Sequence, residues 1–230
     1  MAAEINVLSA GAVKPGLAKV VEAFRLNTGH NVKITFATAP AIRKQIGDGI
    51  TPDVVIAPPD VLDDLVKAGK PEAAERVTVG RIGIGVMVRN GAPVPRIATV
   101  EEFKQSLLSA ESIVYNQAST GIYLEALFDR LGIAAQLQTK STRYPDFSAV
   151  RDHVGKGHGI EIGLGATTVI IESISKGVQF VGPLPMEIQN YTAYAAALTA
   201  AGAAKEAARA LRNYLRTPAA KSILTAAGIE

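Results

Sequence analysis

Short apolar strands that run into turns of small and hydroxyl residues, each followed at once by a helix, are the chemistry-bearing pattern of this chain. The pattern occurs three times. Ile5-Asn6-Val7-Leu8 leads into Ser9-Ala10-Gly11, Val32-Lys33-Ile34-Thr35-Phe36 into Ala37-Thr38-Ala39-Pro40, and Ile113-Val114-Tyr115 into Asn116-Gln117-Ala118-Ser119-Thr120-Gly121. The first turn of a helix carries backbone N–H groups with no intrahelical acceptor, and the helix dipole adds partial positive charge there. Such a turn holds an anion through amides and a hydroxyl, without a charged side chain. Turns of this kind converging on one cleft would form a small-anion site, with Ser9, Ala10, Thr38, Ala39, Asn116, Ser119, Thr120 and Gly121 as its contacts. The simpler use of the same hydroxyls is helix capping, worth about 1 kcal/mol each.

Further polar residues stand near these turns. Arg43 follows Thr38 within the first turn of its helix, and a guanidinium fork suits a carboxylate, although Arg43 and Lys44 would serve equally as a solvated helix face. Arg143 lies in the polar stretch Ser141-Thr142-Arg143-Tyr144-Pro145-Asp146, read as a turn, where Asp146 is an alternative partner for its charge. Tyr191 belongs to Gln189-Asn190-Tyr191-Thr192, a polar and aromatic cluster that also suits a core ring with a wet hydroxyl. Glu161 is the odd residue, set between Ile160 and Ile162 in an apolar strand. Buried there, it would either pair with a cation or hold a proton to higher pH and so shuttle it. If the chain is a catalyst, Glu161 and Tyr191 are the candidate catalytic residues.

The histidines do not build a metal centre. His153 and His158 flank Gly155-Lys156-Gly157 without an acidic neighbour at ligand spacing, and His30 follows Gly29 at a helix end. No metal and no cofactor is expected. The chain has no Gly-x-Ser-x-Gly elbow and no phosphate loop, and Gly80-Arg81-Ile82-Gly83-Ile84-Gly85 lacks dinucleotide spacing.

Composition bounds the class. At 230 residues and 48% apolar the chain can bury one large core or two small ones. Its 24 basic and 21 acidic residues are scattered and leave a net charge of +3, which argues against a nucleic-acid partner. No stretch reaches the roughly 20 apolar residues that a membrane span needs, so no direct membrane insertion is expected. Met1-Ala2-Ala3-Glu4 leads directly into the first strand, as in a periplasmic protein whose export leader has been removed or in a cytoplasmic one. The absence of cysteine excludes disulfides and thiolate chemistry.

Strands at 5–9, 32–36 and 53–57 alternate with helices near 13–27, 40–48 and 59–68. The alternation resumes with a capping box at Thr99 and Glu102 that opens a helix to about 109. Strand 112–115, a helix near 121–131, a strand near 136–140, a helix near 146–156, strand 160–164, a helix near 166–175 and strand 177–181 follow. A strand from 191 to 198 and helices at about 202–216 and 218–227 close the chain. Such βα alternation gives an α/β fold whose mainly parallel sheets bind ligands at the carboxyl ends of their strands. The turn residues Asn90-Gly91-Ala92-Pro93-Val94-Pro95 suggest a chain crossing. The expected organisation is therefore lobe 1 over 1–88, lobe 2 over 89–188, and a return to lobe 1 over 189–230, hinged by two crossings.

The order of Ile5-Asn6-Val7-Leu8-Ser9-Ala10, Thr35-Phe36-Ala37-Thr38-Ala39, Pro52-Asp53-Val54-Val55-Ile56-Ala57 and Gly121-Ile122-Tyr123 resembles the periplasmic molybdate-binding proteins of ABC importers. The ending Tyr214-Leu215-Arg216-Thr217-Pro218-Ala219-Ala220-Lys221 is similar too. The resemblance covers nearly the whole chain and implies the two-lobed type II periplasmic-binding fold. It also implies a monomer that closes on a small anion and docks on an ABC permease. In that family the oxyanion is gripped by hydroxyls and amides of the first two turns, by amides of the second lobe and by a late tyrosine. Ser9 matches the first serine. The second turn, Ser-Ser-Gly-like in the family, is Ala37-Thr38-Ala39-Pro40 here, with Pro40 lacking an N–H, and no tyrosine lies in Gly159 to Thr168. These departures suggest another anion, such as an organic acid. The scaffold is also associated with an aconitate isomerase, which implies a second activity class, the isomerisation of an unsaturated polycarboxylic acid by proton transfer.

Overall fold

The computed structural model describes residues 2–69, 74–199 and 205–230. Along the chain run β1 (Glu4–Ala10), α1 (Lys14–Thr28), β2 (Asn31–Ala37), α2 (Ala39–Gly47), β3 (Val54–Ala57), α3 (Pro59–Lys67), β4 (Arg76–Ile82) and β5 (Ile84–Arg89). Next come α4 (Val100–Ser109), β6 (Ser112–Asn116), α5 (Ser119–Arg130), α6 (Ala134–Gln138), β7 (Ser141–Tyr144), α7 (Phe147–Lys156) and β8 (Glu161–Ala166). The remainder is α8 (Thr167–Glu172), β9 (Val178–Pro183), β10 (Thr192–Leu198), α9 (Lys205–Tyr214) and α10 (Pro218–Ala226). The start of the helix expected from 202 lies outside the described residues, as does Met1.

The chain divides into two units, 1–82 with 193–230, and 83–192. The first holds a five-stranded sheet in the order β2-β1-β3-β10-β4. β1 runs parallel to both β2 and β3, while β10 lies antiparallel to β3. Every residue of β3 is buried, which explains its unbroken Val-Val-Ile-Ala sequence at the middle of a covered sheet. α1 turns Leu17, Val20 and Phe24 inward and ends at Gly29, whose φ of 74° is open to a residue without a β-carbon.

The second unit orders its sheet β7-β6-β8-β5-β9. β6 is parallel to β7 and β8, and β5 is antiparallel to β8 and β9. Alternation along the strands feeds two cores. Ile113, Tyr115, Val86 and Val88 pack with Phe103, Leu107, Leu124 and Phe128. Val114 and Met87 pack on the other face with Val150, Val154 and Ile170.

Three expectations change. The segment expected as a strand at 136–140 is largely α6, and the stretch read as the polar turn Ser141–Asp146 begins with β7. β7 is an edge strand with no fully buried residue, so it tolerates Ser-Thr-Arg-Tyr, whereas Ala-Ala-Gln-Leu-Gln is made of good helix formers. The crossing expected at Asn90–Pro95 falls inside the second unit. The units divide at Ile82/Gly83, where the apolar run Val77–Val88 breaks into β4 and β5, and again at Thr192/Ala193.

Candidate functional site

In the first unit the strand register sets Ser9, Phe36 and Ile56 in one row at the carboxyl edge of the sheet, with Ala10 beside Ala37. Ser9 is fully buried, and its hydroxyl donates only a long 3.3 Å bond to the Ala10 carbonyl. Thr38 occupies the N-cap of α2 with extended backbone, φ −78° and ψ 159°, yet its side chain accepts no amide of the first turn. Pro40 removes one donor from that turn, leaving the amides of Ala39 and Ala41 at its mouth. The turn after β3 offers less, because the N-cap Pro58 and the first helical residue Pro59 of α3 have no N–H.

The second unit presents a matching edge. α5 begins at Ser119 with Ala118 as an N-cap that supplies no side-chain bond, so the amides of Ser119, Thr120 and Gly121 form its open first turn. Asn116 stands at the end of β6, buried to 9% exposure, and accepts the Ala118 amide at 3.3 Å. Gly121 has a packing reason for its identity. A β-carbon there would lie 1.7 Å from the Asn116 carbonyl oxygen, so the helix start approaches the strand end as only glycine allows.

Capping elsewhere sharpens the contrast. Thr99 accepts the Glu102 amide at 3.1 Å, Asp146 accepts that of Ala149 at 3.0 Å, and Thr217 accepts that of Ala220 at 3.2 Å. In the expected capping box the Glu102 carboxylate returns to the Ala98 amide instead of to Thr99. Side chains cap α4, α7 and α10, whereas α1, α2, α3, α5, α6 and α8 have no side-chain cap; of these, α2 and α5 follow the hydroxyl-bearing turns after β2 and β6.

The arginines expected near the ligand are engaged in ion pairs. Arg43 ties α2 to α3 by pairing with Asp60 and, at 2.8 Å, with Asp64, and the Asp64 bond raises the guanidinium's proton affinity further. Arg143 extends from β7 to Glu125 of α5, while Asp146 caps α7 instead of meeting it. A cation the sequence reading passed over is Lys14, exposed in the first turn of α1. Its Nζ stands 5.9 Å from the centroid of Phe36, which shares the edge row with Ser9. No acidic residue accompanies it in that turn, an electrostatically unfavourable place for a lone lysine, and that is the signal which would have found it.

Glu161 is placed at the other end of its sheet. It opens β8 opposite Ser112, four residues before Asn116, a separation of about 13 Å along the strands. One carboxylate oxygen lies 3.5 Å from His153 Nε2, and His153 Nδ1 shares a 2.8 Å hydrogen bond with the Tyr144 hydroxyl. The other oxygen is buried without a hydrogen-bond partner among the described residues. This neighbourhood of Glu161 lies at the end of the sheet away from the Ser119–Gly121 turn. Tyr191 is 42% exposed, with its ring edge against Gly83. Burial pushes the Tyr115 phenol up from its ordinary value, as fits a core tyrosine of β6. Among the described residues no metal-ligating cluster gathers, and no helix is long and apolar enough to cross a membrane.

Comparison with known proteins fits this architecture. An aconitate isomerase from a Pseudomonas species is 31% identical over 234 residues, which cover 98% of this chain and 87% of that protein. The periplasmic molybdate-binding protein of Azotobacter vinelandii superposes with a TM-score of 0.82 at 19% identity, over 98% of each chain. The sulfate-binding protein SubI of Mycobacterium tuberculosis gives 0.77 at 20% identity, over 99% of this chain and 86% of that one. The two five-stranded sheets of this chain, each flanked by helices, match the two-lobed periplasmic-binding fold of these structures. The model of the family described as bacterial extracellular solute-binding protein matches residues 5–230, and the chain belongs to that family.

Proposed function

We propose that the protein binds a small organic di- or tricarboxylate, its two lobes closing over the anion, and delivers it to an ABC importer from the periplasm. The observation that carries this reading is the set of idle donors at two sheet edges. The Ser9 and Thr38 hydroxyls cap nothing, and the first-turn amides of α2 and α5 face no side-chain acceptor. Carboxylate is favoured over a compact inorganic oxyanion for two reasons. Pro40 and the Pro58-Pro59 pair withhold amides that an all-amide cage would use, and Lys14 adds a full positive charge beside Phe36. A second carboxylate group would meet that charge, while the carbon skeleton would lie against apolar ring surface.

Calorimetric titration of the purified protein with cis-aconitate, trans-aconitate, citrate, molybdate, sulfate and phosphate tests the reading. Binding of one of the polycarboxylates with the inorganic anions silent is the expected result. Molybdate or sulfate binding alone would overturn the choice of carboxylate.

A second reading is catalytic and is favoured by the identity to the Pseudomonas aconitate isomerase. The reaction would remove a proton from a carbon next to a carboxylate and return it two carbons along, so that the double bond migrates with no net loss or gain. Of the two candidate bases, Tyr191 fits this role better than Glu161, which pairs with His153 at the amino end of β8. Incubation with trans-aconitate followed by proton NMR would reveal the cis isomer if this reading holds, and an unchanged spectrum would leave binding alone.

A further inference from the structure

The two segments that pass between the units are pinned close to the points of passage. On the first, Arg81 exchanges both backbone bonds with Glu230, donating at 2.7 Å and accepting at 3.0 Å. Three residues later, Ile84 is held by a side chain. Its amide donates to Gln189 Oε1 at 2.8 Å, and its carbonyl accepts from Gln189 Nε2 at 2.9 Å. The Gln189 carboxamide thus imitates a strand partner, satisfying donor and acceptor of one residue together. The same Oε1 accepts the Asn190 amide at 3.0 Å, so Gln189 also fixes the second connecting segment. Between them, the Gly83 carbonyl accepts the first amide of α8, from Thr167, at 3.0 Å.

Gly83 is shaped to this arrangement. A β-carbon there would stand 3.3 Å from the Gln189 carboxamide carbon and nitrogen and 3.3 Å from the Tyr191 ring. Such contacts are tight on both sides, so the missing side chain is what lets the carboxamide and the ring lie against the backbone.

We propose that Gln189 is a positioning residue that staples the two connecting segments of the second unit into one rigid pair. By holding both segments to the second unit, the staple sets how readily the protein closes. The consequence for ligand affinity rests on the closure reading given above, whereas the staple itself does not. Loss of the carboxamide would broaden the range of open forms, leave fewer molecules poised to close, and weaken binding while every anion-contacting group remained in place.

The test uses Gln189→Leu, which keeps the bulk without hydrogen bonds, and Gln189→Glu, which keeps the acceptor for Ile84 and Asn190 and loses the donor to the Ile84 carbonyl. Amide hydrogen exchange at Ile84 in Gln189→Leu is expected to quicken about tenfold or more, with Val86 and Leu164 in the same sheet unchanged and Gln189→Glu in between. The chain has no native cysteine, so spin labels at Lys33→Cys and Gln136→Cys report one inter-unit distance cleanly. That distance distribution should broaden in Gln189→Leu without any ligand. Unchanged Ile84 exchange would overturn the staple, and faster exchange with an unchanged distribution would overturn its control of closure. Failure of the wild-type protein to bind cis-aconitate or citrate would sink the ligand reading and leave both of these readouts intact.

Discussion

Replacing Thr38 by alanine separates ligand binding from helix capping, because the two roles predict opposite patterns of loss. Thr99 is the internal control. Its hydroxyl accepts the Glu102 amide at 3.1 Å, so Thr99→Ala removes a working cap and costs about 1 kcal/mol of stability. In a chain of this size that corresponds to a fall in Tm of about 2–4 °C. Thr38 stands at the same N-cap position of α2 with extended backbone and makes no capping bond, so Thr38→Ala should leave Tm within about 1 °C of wild type. If its hydroxyl instead donates to a bound carboxylate, the loss appears in affinity. A hydrogen bond to a charged group is worth about 1.5–3 kcal/mol, which raises Kd by about tenfold to somewhat over a hundredfold. Thr38→Ser keeps the oxygen and should recover most of the affinity. Scanning calorimetry and titration with citrate and cis-aconitate on the four proteins give both axes. An equal Tm loss in Thr38→Ala and Thr99→Ala, or an unchanged Kd for a ligand that the wild type binds, would refute the argument.

Other substitutions probe the same edges. Gly121→Ala sets a β-carbon against the Asn116 carbonyl and should lower stability by several kcal/mol, read by denaturant unfolding; a loss under about 1 kcal/mol would show that the turn relaxes easily. Lys14→Gln should weaken citrate binding at least about tenfold and weaken it less as salt rises, whereas a salt-independent loss would deny it an electrostatic role. Arg43→Met should leave citrate affinity within about twofold, because its guanidinium is committed to Asp60 and Asp64; a larger loss would place it on the ligand. Arg43 beside Asp64 holds that carboxyl below its ordinary 3.8, so the pair adds stability at neutral pH that fades as pH falls through and below that value. Urea unfolding of wild type and Asp64→Asn should therefore converge on acidification.

The sequence made the repeated strand and helix order legible, since apolar periodicity reports burial directly, as in the all-buried β3 and the inward stripe of α1. It misread 136–144 because an edge strand lacks the apolar signal on which that reading depends. The passage between units hid inside Val77–Val88 because β4 and β5 are both apolar strands, and Gly83 was the single mark between them. At the candidate site, residue type and turn position pointed to Ser9, Thr38 and Ser119–Gly121, which lie at the carboxyl ends of β1, β2 and β6. The partners of Arg43 and Arg143 lie 17 to 21 residues away on other elements, beyond any local pattern. Glu161 stood out by its chemistry, but only strand register revealed that it opens β8 where the candidate anion turns close their strands.

The two prolines after β3 carry a meaning for ligand shape. Their turn adjoins Ser9 through the pairing of β1 with β3, and it offers carbon–hydrogen surface where its neighbours offer amides. An oxygen turned toward that flank would surrender a water and receive nothing in return. A tetrahedral oxyanion, alike on every side, has no means of avoiding the exchange. A lopsided molecule does: it can present its carboxylates to the donors and its methylene groups to the exposed Pro59 ring. This flank would then set the orientation of whatever enters, which makes it the place to begin in redesigning the protein for a different ligand.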